Sequence, residues 1–133
     1  MGLIRAEGEM EVKVEKKSDE VVLVSVSGSL SFYTVDQLDQ SFDQAHDLEP
    51  NTIGVDFRQV TLIDSTGFGS VIRQLHRCTD EDRDLVIFGL RKNIELFFKV
   101  SALDKVFRIL TSEQFFGEFL PEELAKEVAT DRN

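Results

Sequence analysis

The spacing of apolar residues changes along this chain, and that change restricts the fold more than any other feature of the sequence. Apolar and polar residues alternate over residues 10–15, which is typical of a half-buried β-strand, and a nearly continuous apolar run over residues 21–26 indicates a second strand. The period then becomes helical, because the next apolar residues are three or four positions apart: Val35, Leu38, Phe42 and Ala45. Thr34 precedes this stripe and is predicted to be the helix N-cap.

Both patterns recur downstream and together predict the fold class. Further strands are predicted at residues 51–57, 85–88 and 106–110, and further helices at 68–75, 93–100, 113–119 and 121–129. Alternation of strands and helices favours parallel strands with helices packed on the sheet, whereas the short polar link after residue 16 predicts a hairpin. We therefore expect a single α/β domain whose mixed, mostly parallel sheet is opened by a hairpin and covered by helices.

Length, charge and cysteine content exclude several classes of protein. A chain of 133 residues with 41% hydrophobic residues is long enough to bury one core without a metal or a disulfide. Its net charge of −10 is unfavourable for binding nucleic acid or an anionic membrane surface, and no apolar run is long enough to span a bilayer. Cys78 is the single cysteine and cannot form an internal disulfide, so we expect a cytoplasmic protein with a buried thiol.

The sequence lacks the usual signatures of catalysis. It contains no phosphate-binding Gly-rich loop, no nucleophile elbow and no cysteine-rich metal site. His46 and His76 each lie on a predicted helix without a catalytic partner, and each is assigned a structural or solvated role. We accordingly predict neither an enzyme nor a bound cofactor or metal.

The most informative segment is residues 60–69, in which Asp64, Ser65 and Thr66 stand directly before a helix. Free backbone N–H groups and the positive end of the helix dipole meet at such a position. A side-chain oxygen there can cap the helix, which is the ordinary structural interpretation. Alternatively, a hydroxyl there can be phosphorylated, which adds about −1.5 to −2 charge units at pH 7. Gly67 and Gly69 would leave the backbone open to another protein.

Residues 55–69 resemble the signature of the STAS-domain anti-sigma-factor antagonists, in which a strand and a short link lead to Asp-Ser-Ser/Thr-Gly-hydrophobic-Gly at the start of a helix. Residues 24–30 resemble that family's second strand and Gly-x-Leu turn. Residues 85–90, 96–98, 103 and 106–107 resemble its later pattern. The resemblance therefore extends from about residue 10 to residue 110.

This resemblance implies a phosphorylation switch. Ser65 would be phosphorylated by a partner that is both an ATP-binding serine kinase and an anti-sigma factor, and a PP2C-type phosphatase would remove the phosphate. The unphosphorylated form would bind the kinase and release a sigma factor. Carried over by position, the docking surface would comprise Ser29, Ser31, Phe32, Tyr33, Asp64, Thr66, Gly67, Phe68 and Gly69.

The chain departs from the family pattern in two places. Many relatives carry acidic residues after the second strand, whereas this chain has Gly28, Ser29, Leu30 and Ser31. The tail after Leu110 is also longer than the family minimum, so we expect an N-terminal extension at residues 1–9, a STAS domain at 10–112 and an acidic helical extension at 113–133.

A row of aspartates lies on the first predicted helix, at positions 36, 39, 43 and 47. We interpret it as a solvated face rather than a partner-binding edge.

Two alternative functions stay open from the sequence. A receiver domain with a phosphorylated aspartate at Asp56 or Asp64 would also be α/β, but the acidic pair and the lysine that its metal site needs are missing. A STAS-like accessory subunit of a lipid-transport ABC system, or a scaffold in a signalling assembly, would share the fold without the switch.

Overall fold

A computed structural model describes residues 9–120, which form one sheet with helices on both faces. In chain order the elements are β1 (Met10–Lys16), β2 (Val21–Leu30), α1 (Val35–Asp47), β3 (Thr52–Ile63), α2 (Ser65–Asp80), β4 (Asp84–Phe88), α3 (Lys92–Val100), a 3₁₀ turn (Leu103–Lys105), β5 (Arg108–Leu110) and α4 (Ser112–Phe119). The helix predicted at 121–129 lies outside the described residues.

The five strands follow one another across the sheet in sequence order. β1 and β2 form an antiparallel hairpin in which Val14 faces Val24, whereas β2, β3, β4 and β5 are parallel. The predicted fold class is therefore confirmed. Three strand limits were wrong, because β2 continues beyond residue 26 to Leu30, β3 continues beyond residue 57 to Ile63, and β5 begins only at Arg108, after the 3₁₀ turn.

β3 is longer than predicted because its second half pairs with the second half of β2. Leu30 lies opposite Ile63 at the end of this ladder, after register shifts at Ser25/Ser27 and Gly28/Ser29. The parallel extension carries both strands to the same edge of the sheet. It thereby places the β2–α1 loop beside the start of α2.

Apolar side chains bury both faces of the sheet. On one face α1, α2 and α3 cover the main core, which contains Phe42, Phe57 and Phe98. On the other face α4 packs the ring of Phe115 against that of Phe88, with 4.2 Å between their centroids. The first residues after position 112 therefore form part of the packed domain, and residues 121–133 lie beyond the described part.

The aspartates of α1 make contacts that the sequence did not predict. Asp39 accepts hydrogen bonds from Ser70 and Arg73 on α2, at 2.5 and 3.0 Å, and Asp43 accepts one from Arg77 at 2.6 Å. Asp36 and Asp47 are exposed, as expected of a solvated face. Half of the aspartate row thus joins α1 to α2.

Candidate functional site

Asp64 organises the start of α2. Its main chain has extended geometry, and its Oδ1 accepts a hydrogen bond from the backbone N–H of Gly67 at 2.9 Å. The other carboxylate oxygen, Oδ2, accepts one from the N–H of Phe32 at 3.2 Å, and the Asp64 N–H donates to the carbonyl of Leu30 at 3.0 Å. Asp64 is therefore the N-cap of α2 and also ties that helix to the β2–α1 loop.

Gly67 is required by a close contact within the chain. A Cβ atom at this position would lie 2.3 Å from the carbonyl oxygen of Leu30 and 2.7 Å from its carbonyl carbon. Real Cβ atoms do not approach backbone atoms so closely, so any side chain here would push α2 away from β2. The sequence suggested that Gly67 admits another protein, but the structure shows that this glycine is buried against its own β2.

Ser65 occupies the first position of α2, directly after the Asp64 cap. Its side chain is exposed, and within residues 9–120 no hydrogen bond involves its hydroxyl. The ordinary structural interpretation, in which a side-chain oxygen of this segment caps the helix, is therefore confirmed, and the capping oxygen belongs to Asp64 and not to Ser65. Thr66 follows in a half-buried position. Ser65 thus has an accessible oxygen beside the N–H groups that begin a helix.

Residues 31–34, here called the aromatic loop, present two large apolar side chains to solvent. Phe32 is 68% exposed and Tyr33 is 85% exposed, and their rings meet edge to face with centroids 5.5 Å apart. Thr34 holds this loop, since its hydroxyl donates to the carbonyl of Ser29 at 2.7 Å and accepts from the N–H of Ser31 at 2.9 Å. Thr34 is the N-cap by position, but its side chain makes no capping hydrogen bond to α1.

A groove of about 450 Å³ lies between the aromatic loop and the end of β3. Leu62 lines it together with Tyr33 and is 57% exposed. Leu62 is absent from the docking residues inferred from the sequence. Its exposure could have been predicted from its position beside Ile63 at the end of a strand. Successive strand residues point to opposite faces, and Ile63 points into the core.

The predicted docking residues form one neighbourhood but differ in accessibility. The exposed ones are Phe32, Tyr33, Asp64 and Ser65, whereas Ser31 and Gly69 are half-buried. Ser29, Gly67 and Phe68 are buried. Phe68 supports the surface from below, because its ring contacts those of Phe97 and Phe98, with centroids 4.6 and 5.0 Å away. We call the exposed set of Phe32, Tyr33, Leu62, Asp64 and Ser65 the acceptor surface.

The other titratable residues singled out in the sequence lie away from the acceptor surface. Burial raises the pKa of the Cys78 thiol to about 11, which leaves it protonated and unreactive at neutral pH. His46 is buried and its Nδ1 lies 2.9 Å from a guanidinium nitrogen of Arg83, consistent with a structural role. Within residues 9–120 no group of three His, Cys, Asp or Glu side chains could hold a metal ion.

Comparison with known proteins identifies the family. The family described as "Mlab, STAS domain" matches residues 14–111, which is most of the chain and includes the whole acceptor surface. The chain belongs to the STAS-domain family. None of the helices described between residues 9 and 120 has the length and apolar character needed to cross a bilayer.

Relatives of this STAS domain include proteins named as anti-sigma factor antagonists. It is 28% identical over 91 residues to an anti-sigma-B factor antagonist of Staphylococcus aureus, covering 68% of this chain and 84% of that protein. An anti-sigma factor antagonist from Mycobacterium paratuberculosis has a similar structure, with a TM-score of 0.69 at 20% identity over 96% of this chain and all of that chain. The family resemblance inferred from the sequence is thus confirmed.

The same fold occurs in SpoIIAA of Bacillus, which is described both unphosphorylated and phosphorylated. The TM-scores are 0.66 and 0.62, each at 18% identity. The match to the unphosphorylated form covers 92% of this chain and 100% of that chain. The match to the phosphorylated form covers 90% of this chain and 99% of that chain. These similarities confirm the single five-stranded α/β domain.

Proposed function

We propose that this STAS domain is a phosphorylation-controlled anti-sigma-factor antagonist that works in the cytoplasm and is not itself an enzyme. The observation that carries the proposal is the position of Ser65. Its hydroxyl is exposed at the first turn of α2, while the capping role is filled by Asp64. The names of its relatives, among them an anti-sigma-B factor antagonist, support the same conclusion.

The start of α2 can accept a phosphate without rearrangement of the fold. The first N–H groups of a helix lack intrahelical acceptors, and the helix dipole favours an anion at that end. The Ser65 hydroxyl makes no hydrogen bond within residues 9–120 that phosphorylation would break. We therefore expect phosphorylation to change the charge of the acceptor surface and to leave the sheet intact.

The same modification would oppose docking. A phosphate on Ser65 would stand beside the exposed carboxylate of Asp64, in a surface whose other accessible members are apolar. A partner covering this surface would have to remove water from two adjacent negative groups, which is costly unless the partner supplies matching cations. Binding of the unphosphorylated form and release on phosphorylation follow from this difference.

The partners in this proposal are an ATP-binding serine kinase that is also the anti-sigma factor, and a PP2C-type phosphatase. In the unphosphorylated state the acceptor surface binds the kinase, which then releases its sigma factor. The exposed rings of Phe32 and Tyr33 supply the apolar anchor, a residue type that commonly dominates the binding energy of interfaces.

Affinity capture with three baits tests this function. Wild-type protein and a Ser65→Ala variant should retain an ATP-binding serine kinase, whereas a Ser65→Asp variant should lose most of it. Phosphopeptide mapping after incubation with that kinase and ATP should place the phosphate on Ser65, with Thr66→Val as the matched control that keeps full labelling.

Two results would contradict the proposal. Retention of the ATPase subunit of a lipid-transport system by all three baits would favour the accessory-subunit alternative. Undiminished labelling of Ser65→Ala would show that the acceptor is another residue.

A further inference from the structure

The centre of the aromatic loop is attached to the rest of the described chain by a single long-range hydrogen bond. Inside the loop, the N–H of Tyr33 donates to Oγ of Ser31 at 3.2 Å, and Thr34 holds the far end. From residues 31–33 one hydrogen bond reaches a distant part of residues 9–120, where the Phe32 N–H donates to Oδ2 of Asp64 at 3.2 Å. Both rings are mostly exposed and give the loop little packing support. The position of the two aromatic anchors therefore depends on Asp64.

The other end of this hydrogen bond is fixed to the sheet. The Asp64 N–H donates to the carbonyl of Leu30 at 3.0 Å, and Gly67 approaches that carbonyl too closely to leave room for a side chain. Oδ1 of Asp64 is held by the Gly67 N–H at 2.9 Å, whereas the bond from Oδ2 to Phe32 is longer and exposed. A disturbance of this carboxylate should therefore release the loop before it releases the helix.

Ser65 stands where it can disturb the Asp64 carboxylate. It is the next residue in the chain, its side chain is exposed, and its hydroxyl makes no hydrogen bond within residues 9–120. A phosphate there would add about −1.5 to −2 charge units at pH 7. Like charges this close repel each other even at a hydrated surface. Oδ1 is retained by an N–H at the positive end of the α2 dipole, so the weaker link is the one from Oδ2 to Phe32.

From this arrangement we infer that Asp64 is a positioning residue through which the phosphorylation state of Ser65 controls the order of the aromatic loop. While Ser65 carries a free hydroxyl, Asp64 holds Phe32 and the loop presents both rings in one position. A phosphate on Ser65 repels the carboxylate from the Phe32 N–H, and the loop loses that position. A partner must then order the loop as it binds, which lowers its affinity. The inference rests on the proposed function for the modification itself, but the coupling is measurable without the kinase.

An Asp64→Asn variant separates the two hydrogen bonds of the carboxylate. Asparagine is as good an N-cap as aspartate, so its carbonyl oxygen keeps the bond from the Gly67 N–H. Its amide nitrogen replaces Oδ2 and cannot accept a hydrogen bond from Phe32. Asp36→Asn is the matched control, because it removes the same charge from an exposed carboxylate of α1 that makes no hydrogen bond within residues 9–120.

Amide hydrogen exchange of the full chain, followed by NMR, measures how firmly Phe32 is held. Phosphoserine is incorporated at position 65 during translation, so no kinase is needed. The Phe32 amide should exchange about fivefold faster in Asp64→Asn and in the phosphoserine protein than in wild type, as expected for the loss of one hydrogen bond. The Gly67 amide should keep its protection, and Asp36→Asn should match wild type.

Tyr33 provides a second measurement in the same proteins. It is the single tyrosine of a chain without tryptophan, so intrinsic fluorescence anisotropy reports on the aromatic loop alone. The anisotropy should fall in Asp64→Asn and in the phosphoserine protein, and should stay at the wild-type value in Asp36→Asn.

The decisive comparison places phosphoserine at position 65 of the Asp64→Asn variant, in which no carboxylate remains to be repelled. The phosphate should then cause no further change at Phe32 or Tyr33. Equal loosening of the loop with and without the Asp64 carboxylate would overturn the inference, as would wild-type exchange of Phe32 in Asp64→Asn. If Asp64→Asn does not fold, the phosphoserine protein alone decides, because an unchanged or more protected Phe32 amide there contradicts the coupling. Whether a kinase labels Ser65 affects none of these results and decides the proposed function separately.

Discussion

Replacing Gly67 by alanine tests whether the contact between α2 and β2 determines the geometry of the acceptor surface. Alanine is intrinsically favoured over glycine inside a helix by about 1 kcal/mol, so propensity alone predicts a more stable protein. The new Cβ would, however, lie 2.3 Å from the Leu30 carbonyl oxygen. Overpacking against atoms that cannot rotate away costs up to about 3 kcal/mol. We therefore expect a net loss of up to about 2 kcal/mol, the difference between these two estimates.

Gly69 provides a matched control in the same helix. A Cβ there would meet only the end of the flexible Arg73 side chain, at 3.6 Å. Gly69→Ala should therefore raise the free energy of unfolding by about 0.5–1 kcal/mol. Unfolding by urea at equilibrium measures both variants, and an unchanged m-value shows that the change lies in stability. If Gly67→Ala proves as stable as Gly69→Ala, the close approach of Leu30 does not constrain α2 and the argument is refuted.

Two further predictions concern stability. Asp64→Ala should lower the free energy of unfolding by about 1–2 kcal/mol, because it removes the α2 cap and the acceptor for the Phe32 N–H, whereas Asp36→Ala should stay within about 0.5 kcal/mol. The pKa of His46 is lowered from its ordinary value of 6.5, chiefly by burial and also by Arg77 and Arg83, with Glu81 opposing. The unfolded state therefore binds a proton first, so the stability that neutral His46 contributes is present above pH 6.5 and is lost as the pH falls below it. Urea denaturation at about pH 7.5 and at about pH 5.5 measures the effect. The free energy of unfolding should fall less between these two pH values for His46→Gln than for wild type, and an equal fall would contradict this assignment.

The strands and helices were predictable where a local pattern determined them. Alternation of apolar residues identified β1, and helical spacing identified α1 within a residue of its observed start at Val35. The second half of β3 was missed because Arg58 and Gln59 interrupt the apolar run, while its strand conformation comes from pairing with β2. A partner strand distant in sequence leaves no signal in a local pattern.

The site shows the same division between local and tertiary information. The sequence predicted Asp64, Ser65 and the loop before α1 as site residues, because the motif and its position before a helix are local features. It did not show whether Asp64 or Ser65 caps α2, nor that Asp64 also binds the N–H of Phe32, 32 residues away. The ion pairs between α1 and α2 were likewise missed, since the partners of Asp39 and Asp43 lie more than thirty residues along the chain.

The affinity of the isolated kinase for phosphorylated and unmodified protein tests the central claim most directly. Titration calorimetry should show tight binding of the unmodified form and of Ser65→Ala. Stoichiometric phosphorylation should weaken binding by about a hundredfold or more, equivalent to about 2.7 kcal/mol, because two adjacent negative groups would be desolvated on docking. Amide NMR of the phosphorylated form should confine shifts to residues near Ser65 and the aromatic loop. Undiminished affinity after complete phosphorylation, or shifts spread across the whole sheet, would contradict a local electrostatic switch at the start of α2.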